Sequence, residues 1–113
     1  MIFTESLKKN YQFRFVYNRG KSIANKHLVM YVIKNGKNFN RLGISVSKKV
    51  GISVVRSRVT RLIKESYRLS EENIKRGFDI VIIARNSCAG ETFETVFKSF
   101  NHLLKKHNLL KES

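Results

Sequence analysis

The sequence contains no proline, no tryptophan, a single cysteine and only 8 acidic residues among 113. Without proline there is no fixed-φ linker, and glycine and asparagine must punctuate the chain. One cysteine, Cys88, excludes an internal disulfide. Its setting among small and polar residues in ARNSCAGET is that of an unpaired structural or surface thiol. His27, His102 and His107 are scattered, with no partner at metal-ligand spacing, so no zinc site is expected. No apolar run approaches the roughly 18 residues of a membrane-spanning helix. The segment MIFTESLKKNYQF lacks the long apolar stretch of a signal peptide, which makes the cytoplasm the expected compartment. The acids form no paired-carboxylate motif, no nucleophile has an evident base, and no glycine loop is built to cradle phosphate. No catalytic residue is therefore expected on the chain.

What the chain has is positive charge. Lys and Arg number 23, which leaves a net +15. The length suits one compact domain, residues 1–113, and 42% hydrophobic content supplies a core. A body this small and this basic repels itself unless a polyanion is near. Nucleic acid is the first candidate, an anionic membrane surface the second and an acidic protein the third.

The pattern along the chain predicts a mixed α+β sandwich in the order αβββαβα. A short helix is expected over Asn10–Arg19, capped by Asn10 and ended by Gly20, with Phe13, Val16 and Tyr17 on one face. KSIAN is a brief strand and HLVMYVIK a stronger one. NGKN, Asn35–Asn38, has the composition of a hairpin turn leading into RLGISVS. In that strand Leu42, Ile44 and Val46 alternate with Gly43, Ser45 and Ser47. FDIVIIAR, Phe78–Arg85, is apolar on both faces, as a central strand is. A helix from about Ser53 to Leu69 precedes it. An amphipathic helix from about Thr92 to Leu109 follows, with Glu91 and Glu94 at its start and Lys105 and Lys106 near its end.

The helix near Ser53–Leu69 holds the chemistry. At about 100° per residue, Val55, Val59, Leu62, Ile63 and Ser66 share one side. Arg58, Arg61, Lys64 and Arg68 share the other, Arg56 stands off both stripes, and Lys48 and Lys49 add charge in the preceding loop. Glu65 is the only acid from Lys48 to Arg68. Like charges at i, i+3 cost stability, so a solvated face usually mixes signs. A surface that binds phosphate explains the pattern better, because the arginine fork fits phosphate oxygens. The ridge carries Ser57 and Thr60 but no Asn or Gln, which favours backbone contacts and shape recognition over base reading. Single-stranded RNA needs aromatic platforms. Phe13, Tyr17 and Tyr31 can supply them, and plain core packing is an equal alternative on pattern alone.

RLGISVSKKVG followed by VVRSRVTRLIKE resembles the signature of the bacterial ribonuclease P protein subunit. LKKNYQFRFVYNRGKSIANKHLVMYV resembles that family's first helix and strands, and DIVIIAR its last strand, so the likeness covers nearly the whole chain. Ser57 replaces a usual Asn, Ile52 another Asn, Thr60 a Lys and Lys64 an Arg. Lys48, Lys49, Arg56, Arg58, Arg61 and Arg68 stand where basic residues are expected. The resemblance implies the fold of the second domain of ribosomal protein S5, with a left-handed βαβ crossover. It implies an accessory subunit of an endoribonuclease that matures the 5′ ends of transfer RNA, with ribonuclease P RNA as catalyst. Lys48, Lys49, Arg56, Arg58, Arg61, Lys64 and Arg68 would face that RNA. Phe13, Tyr17, Tyr31 and Ser45 would line a cleft for the 5′ leader of precursor tRNA. The protein alone would bind no cofactor, with Mg2+ in the holoenzyme held mainly by RNA. Neither a membrane nor an obligate protein partner is expected.

Overall fold

The computed structural model describes residues 3–112. Its elements are β1 (Thr4–Ser6), α1 (Asn10–Arg19), β2 (Lys21–Ala24), β3 (Leu28–Lys34), β4 (Asn40–Ser45), α2 (Ser53–Ser70), β5 (Phe78–Ala84) and α3 (Phe93–Lys106). The strands form one sheet in the order β1-β4-β5-β3-β2. β5 is the middle strand, parallel to β4 and antiparallel to β3. Its unbroken apolar run, Ile80–Ile83, follows from helices packing on both faces.

Helices α2 and α3 cover one face. Leu42, Ile80 and Ile82 from the sheet meet Val59, Ile63 and Tyr67 of α2 and Phe100, Leu103 and Leu104 of α3. Cys88 is buried in this layer. Burial pushes its thiol above the ordinary value, which marks an inert structural cysteine. Helix α1 covers the opposite face over a much smaller cluster of Leu7, Val16 and Val81. The alternation expected in β4 holds: Leu42 faces α2, and Gly43 faces α1 so closely that a Cβ there would come within 2.7 Å of the Phe13 ring.

The crossover from β4 through α2 to β5 is left-handed. The Leu42 side chain faces the α2 layer, while its carbonyl accepts from Leu7 N–H on the β1 side. In a strand of L-residues running upward with a side chain toward the viewer, that residue's own N–H and C=O point right. β1 thus lies right of β4 and β5 left, and a helix crossing in front moves leftward. This is the exception to the strong right-handed rule, and the resemblance anticipated it.

Four local expectations are corrected. Asn35–Asn38 does not close a hairpin, because β5 inserts between β3 and β4. Asn35 instead donates through its amide to Asp79 Oδ1 of β5 (3.0 Å). The N-cap of α1 is Lys9, not Asn10, and Gln12 Oε1 accepts from the N–H groups of Lys8 and Lys9 at 2.9 and 3.0 Å. The last helix stops at Lys106, where Asn108, in the left-handed region at φ 57°, turns the chain. Strand β1 was not expected. Thr4 Oγ1 ties it to Tyr67 Oη (2.6 Å) and Glu71 Oε2 (2.7 Å), and Phe3 packs under the Arg76 guanidinium.

Candidate nucleic-acid interface

Three of the aromatic residues singled out in the sequence converge. Val16 is wholly buried against the sheet, which leaves Phe13 and Tyr17 on one flank of α1. Tyr31 reaches up from β3. The Tyr17 and Tyr31 rings meet edge to face with centroids 5.0 Å apart, and Phe13 lies 6.3 Å from Tyr17. All three are half-buried. Phe13 and Tyr17, with Asn10, Arg14, Ile44 and Ser45, line an open cleft of about 390 Å³. Burial pushes the Tyr17 phenol above its ordinary value, and a hydrogen bond with Ser45 acts the other way. The phenol is therefore neutral at physiological pH and shares the cleft lining with Ser45. Arg14 and Asn10 were not among the cleft residues expected from the sequence, where Asn10 figured only as a helix cap. Their signal was their spacing, one turn from Phe13 and Tyr17 on a helix with no acid.

The cleft stays open because β1 is short. It pairs with Asn40–Leu42 only, so the far half of β4 has no outer strand among the described residues. Beyond that edge lies α2. Arg56, Ser57, Thr60, Arg61 and Lys64 line a groove of about 450 Å³, and Ile44 and Val46 form its other wall. Ile44 thus belongs to both hollows. An aromatic, hydrogen-bonding surface passes over the end of β4 into a cationic one.

The basic residues divide into three groups. Arg56, Arg61 and Lys64 are brought together in the groove, with Arg56 Nε anchored on the Gly51 carbonyl (3.2 Å). Lys48 and Lys49 are exposed in the turn before α2. Arg58 and Arg68 are not with the first three. Arg58 turns toward the start of α3 and donates to the Glu91 carbonyl at 2.7 Å. Arg68 forks onto Glu65, an exposed pair that holds the carboxyl below its ordinary value. The ridge expected from helical angles is narrower in fact. Serine and threonine hydroxyls fill the gaps between its cations.

Among the described residues, no three His, Cys, Asp or Glu side chains gather into a set that could hold a metal ion. No helix there is long and apolar enough to cross a membrane. Residues 1–108 match the family model described as Ribonuclease P. The chain is 54% identical over 104 residues to the ribonuclease P protein component of Alkaliphilus oremlandii, covering 92% of this chain and 91% of that one. It is 53% identical over 107 residues to that of Clostridioides difficile, covering 94% of each. The solved RNase P protein of Staphylococcus aureus superposes with a TM-score of 0.87 at 36% identity, over 94% of this chain and 97% of that one. The Thermotoga maritima protein gives 0.83 at 34% identity, over 90% and 96%.

Proposed function

Because the chain belongs to the ribonuclease P protein family, a component of a ribonuclease complex built with ribonuclease P RNA, we propose how it divides its surface between two RNAs. The α2 groove, with Lys48 and Lys49, binds phosphates of the catalytic RNA. The α1 cleft holds the single-stranded 5′ leader of precursor tRNA. The observation that carries this reading is the shared wall at Ile44, which sets the cationic groove and the aromatic cleft side by side, so that the two RNAs can meet over the end of β4.

The chemistry of each half suits its ligand. In the groove, Arg56, Arg61 and Lys64 offer charge without a base-reading amide, so affinity comes from neutralised phosphates. On this face any base can lie on Phe13 or Tyr17, which line the cleft, or on Tyr31 beside them, because every base has a π-face. Ser45 and Asn10 add hydrogen bonds, and Arg14 adds a cation at the rim. The protein positions RNA, and hydrolysis of the phosphodiester belongs to the RNA with Mg2+ held mainly by it. The complex works in the cytoplasm and needs no further protein. Incubating precursor tRNA with protein, with catalytic RNA and with both tests this at low Mg2+. Cleavage that needs both components is expected. Cleavage by protein alone, or by RNA equally well without protein, would overturn it.

A further inference from the structure

Helix α1 has a second aromatic flank. Tyr11 and Phe15 are one turn apart, as Phe13 and Tyr17 are, but they lie on the opposite side of Val16. They are 66% and 46% exposed, so core packing does not account for them. They overhang a groove of about 290 Å³ whose floor is Ile33 and the Arg41–Asp79 pair, with Lys34 on its rim. Arg19 lies over the Phe15 ring, 5.2 Å from its centroid.

Charge decides what can enter. Asp79 is the only acid lining the groove, and Arg41 neutralises it through bonds of 2.8 and 2.6 Å. α1 itself carries no acid. Glu5, opposite Arg41 in the β1–β4 register, adds a carboxylate beside that pair, so the positive charge on offer is that of Lys34 and Arg19, and the accessible surface combines it with aromatic rings, the composition of a single-strand nucleic-acid platform. Between the two flanks the crest of α1 presents exposed Arg14 and Asn18, a polar and cationic path across the helix.

We propose that this far-flank groove is a second single-stranded RNA site, taking an unpaired nucleotide whose base stacks on Tyr11 and Phe15 and whose phosphate meets Lys34. The proposal rests on the reading above, in which the first cleft holds the leader. The occupant is then the leader's own continuation, carried over the Arg14–Asn18 crest. A long leader engages both flanks of α1 and a short one engages only the first.

The test compares holoenzyme binding to precursor tRNAs with leaders of about 5 and about 15 nucleotides, lengths that bracket what one small domain spans. Tyr11→Ser/Phe15→Ser should weaken the long-leader complex by roughly fivefold or more, the loss expected for one stacked base, and leave the short one unchanged. Equal weakening of both, or of neither, would overturn the proposal. Tyr31→Ala is measured alongside. It should weaken both leaders; its failure to do so would count against the first cleft and the leader's route over the crest, while the Tyr11→Ser/Phe15→Ser result reads the far flank separately. A folding defect is bypassed by Tyr11→Trp, which introduces the only indole in the chain. Its fluorescence should be quenched by a single-stranded RNA of about 15 nucleotides and not by anionic phospholipid vesicles. Quenching by the vesicles alone would overturn the proposal.

Discussion

The two faces of the sheet are built to opposite ends. The α2/α3 face is sealed: Val59, Ile63, Tyr67, Phe100, Leu103 and Leu104 have no measurable exposure. The α1 face buries Leu7, Val16 and Val81 and leaves its aromatic rings half in solvent. Apolar burial contributes about 25 cal/mol per Å², so most of the stability lies on the sealed face. The open face gives up burial that its aromatic residues could have provided. Rings kept at a surface beside Arg14 and Lys34 suit the ligand proposed for this face. The comparison teaches that aromatic content alone does not locate a core: Tyr67 is sealed while Tyr31 stays half-buried at the sheet's open face.

The sharpest way to break this comparison is to empty one position on each face. Phe100→Ala should cost about 3–5 kcal/mol of stability, seen as a lower urea midpoint, and should depress all RNA binding in parallel. Phe13→Ala should cost clearly less and spare mature tRNA. If both cost the same, the α1 face is ordinary core. Filling the cleft is the converse. A Cβ at Gly43 would meet the Phe13 ring at 2.7 Å and Leu7 Cδ1 at 3.3 Å. Gly43→Val should therefore push Phe13 into the cleft, at about 1–3 kcal/mol of overpacking, and should abolish preference for precursor over mature tRNA.

These expectations rest on features that the sequence revealed unequally. The long elements were legible because their period is strong: the β5 run, the α3 stripe and the apolar side of α2 all fall where the pattern puts them. Strand β1 was not, since TES has no apolar alternation and is held by side chains of Tyr67 and Glu71 far along the chain. The insertion of β5 between β3 and β4 was equally hidden. An Asn-Gly turn signals local reversal, and nothing local says that a strand some forty residues later will separate the two arms. In the site, residue type pointed to Phe13, Tyr17 and Tyr31, and the family resemblance added Ser45. Helical angle alone misplaced Arg58, whose guanidinium reaches the Glu91 carbonyl, a partner set by tertiary packing.

That division sharpens the prediction for the cationic side. Arg61→Ala should lower the salt dependence of binding to the catalytic RNA by roughly 0.7–0.9 in slope, the share of one neutralised phosphate. Arg58→Ala should change the slope less, because its guanidinium is already bonded within the protein. Titration of binding at several KCl concentrations checks both. Equal slopes for the two variants would restore the wider ridge.

The smallest expected effect concerns pH. His107 Nε2 lies 2.9 Å from the Met30 carbonyl, and burial holds the imidazole below its ordinary value, with Lys21 nearby adding to the shift. The folded state therefore favours neutral His107. Its contribution is fully present above the unfolded pKa of about 6.5 and is lost as pH falls toward the folded value. Stability measured by urea unfolding should fall below that pH. His107→Gln should flatten this dependence while leaving leader binding unchanged.

The most direct test of the central claim, that the open α1 face holds the leader, is the ratio of affinities for precursor and mature tRNA. It should be measured for wild-type and Tyr31→Ala holoenzymes at matched salt. Loss of a stacked base, worth roughly 1–3 kcal/mol, should lower the ratio while affinity for mature tRNA and the protein's melting temperature stay close to wild type. An unchanged ratio, or an equal loss for both tRNAs, would contradict the account.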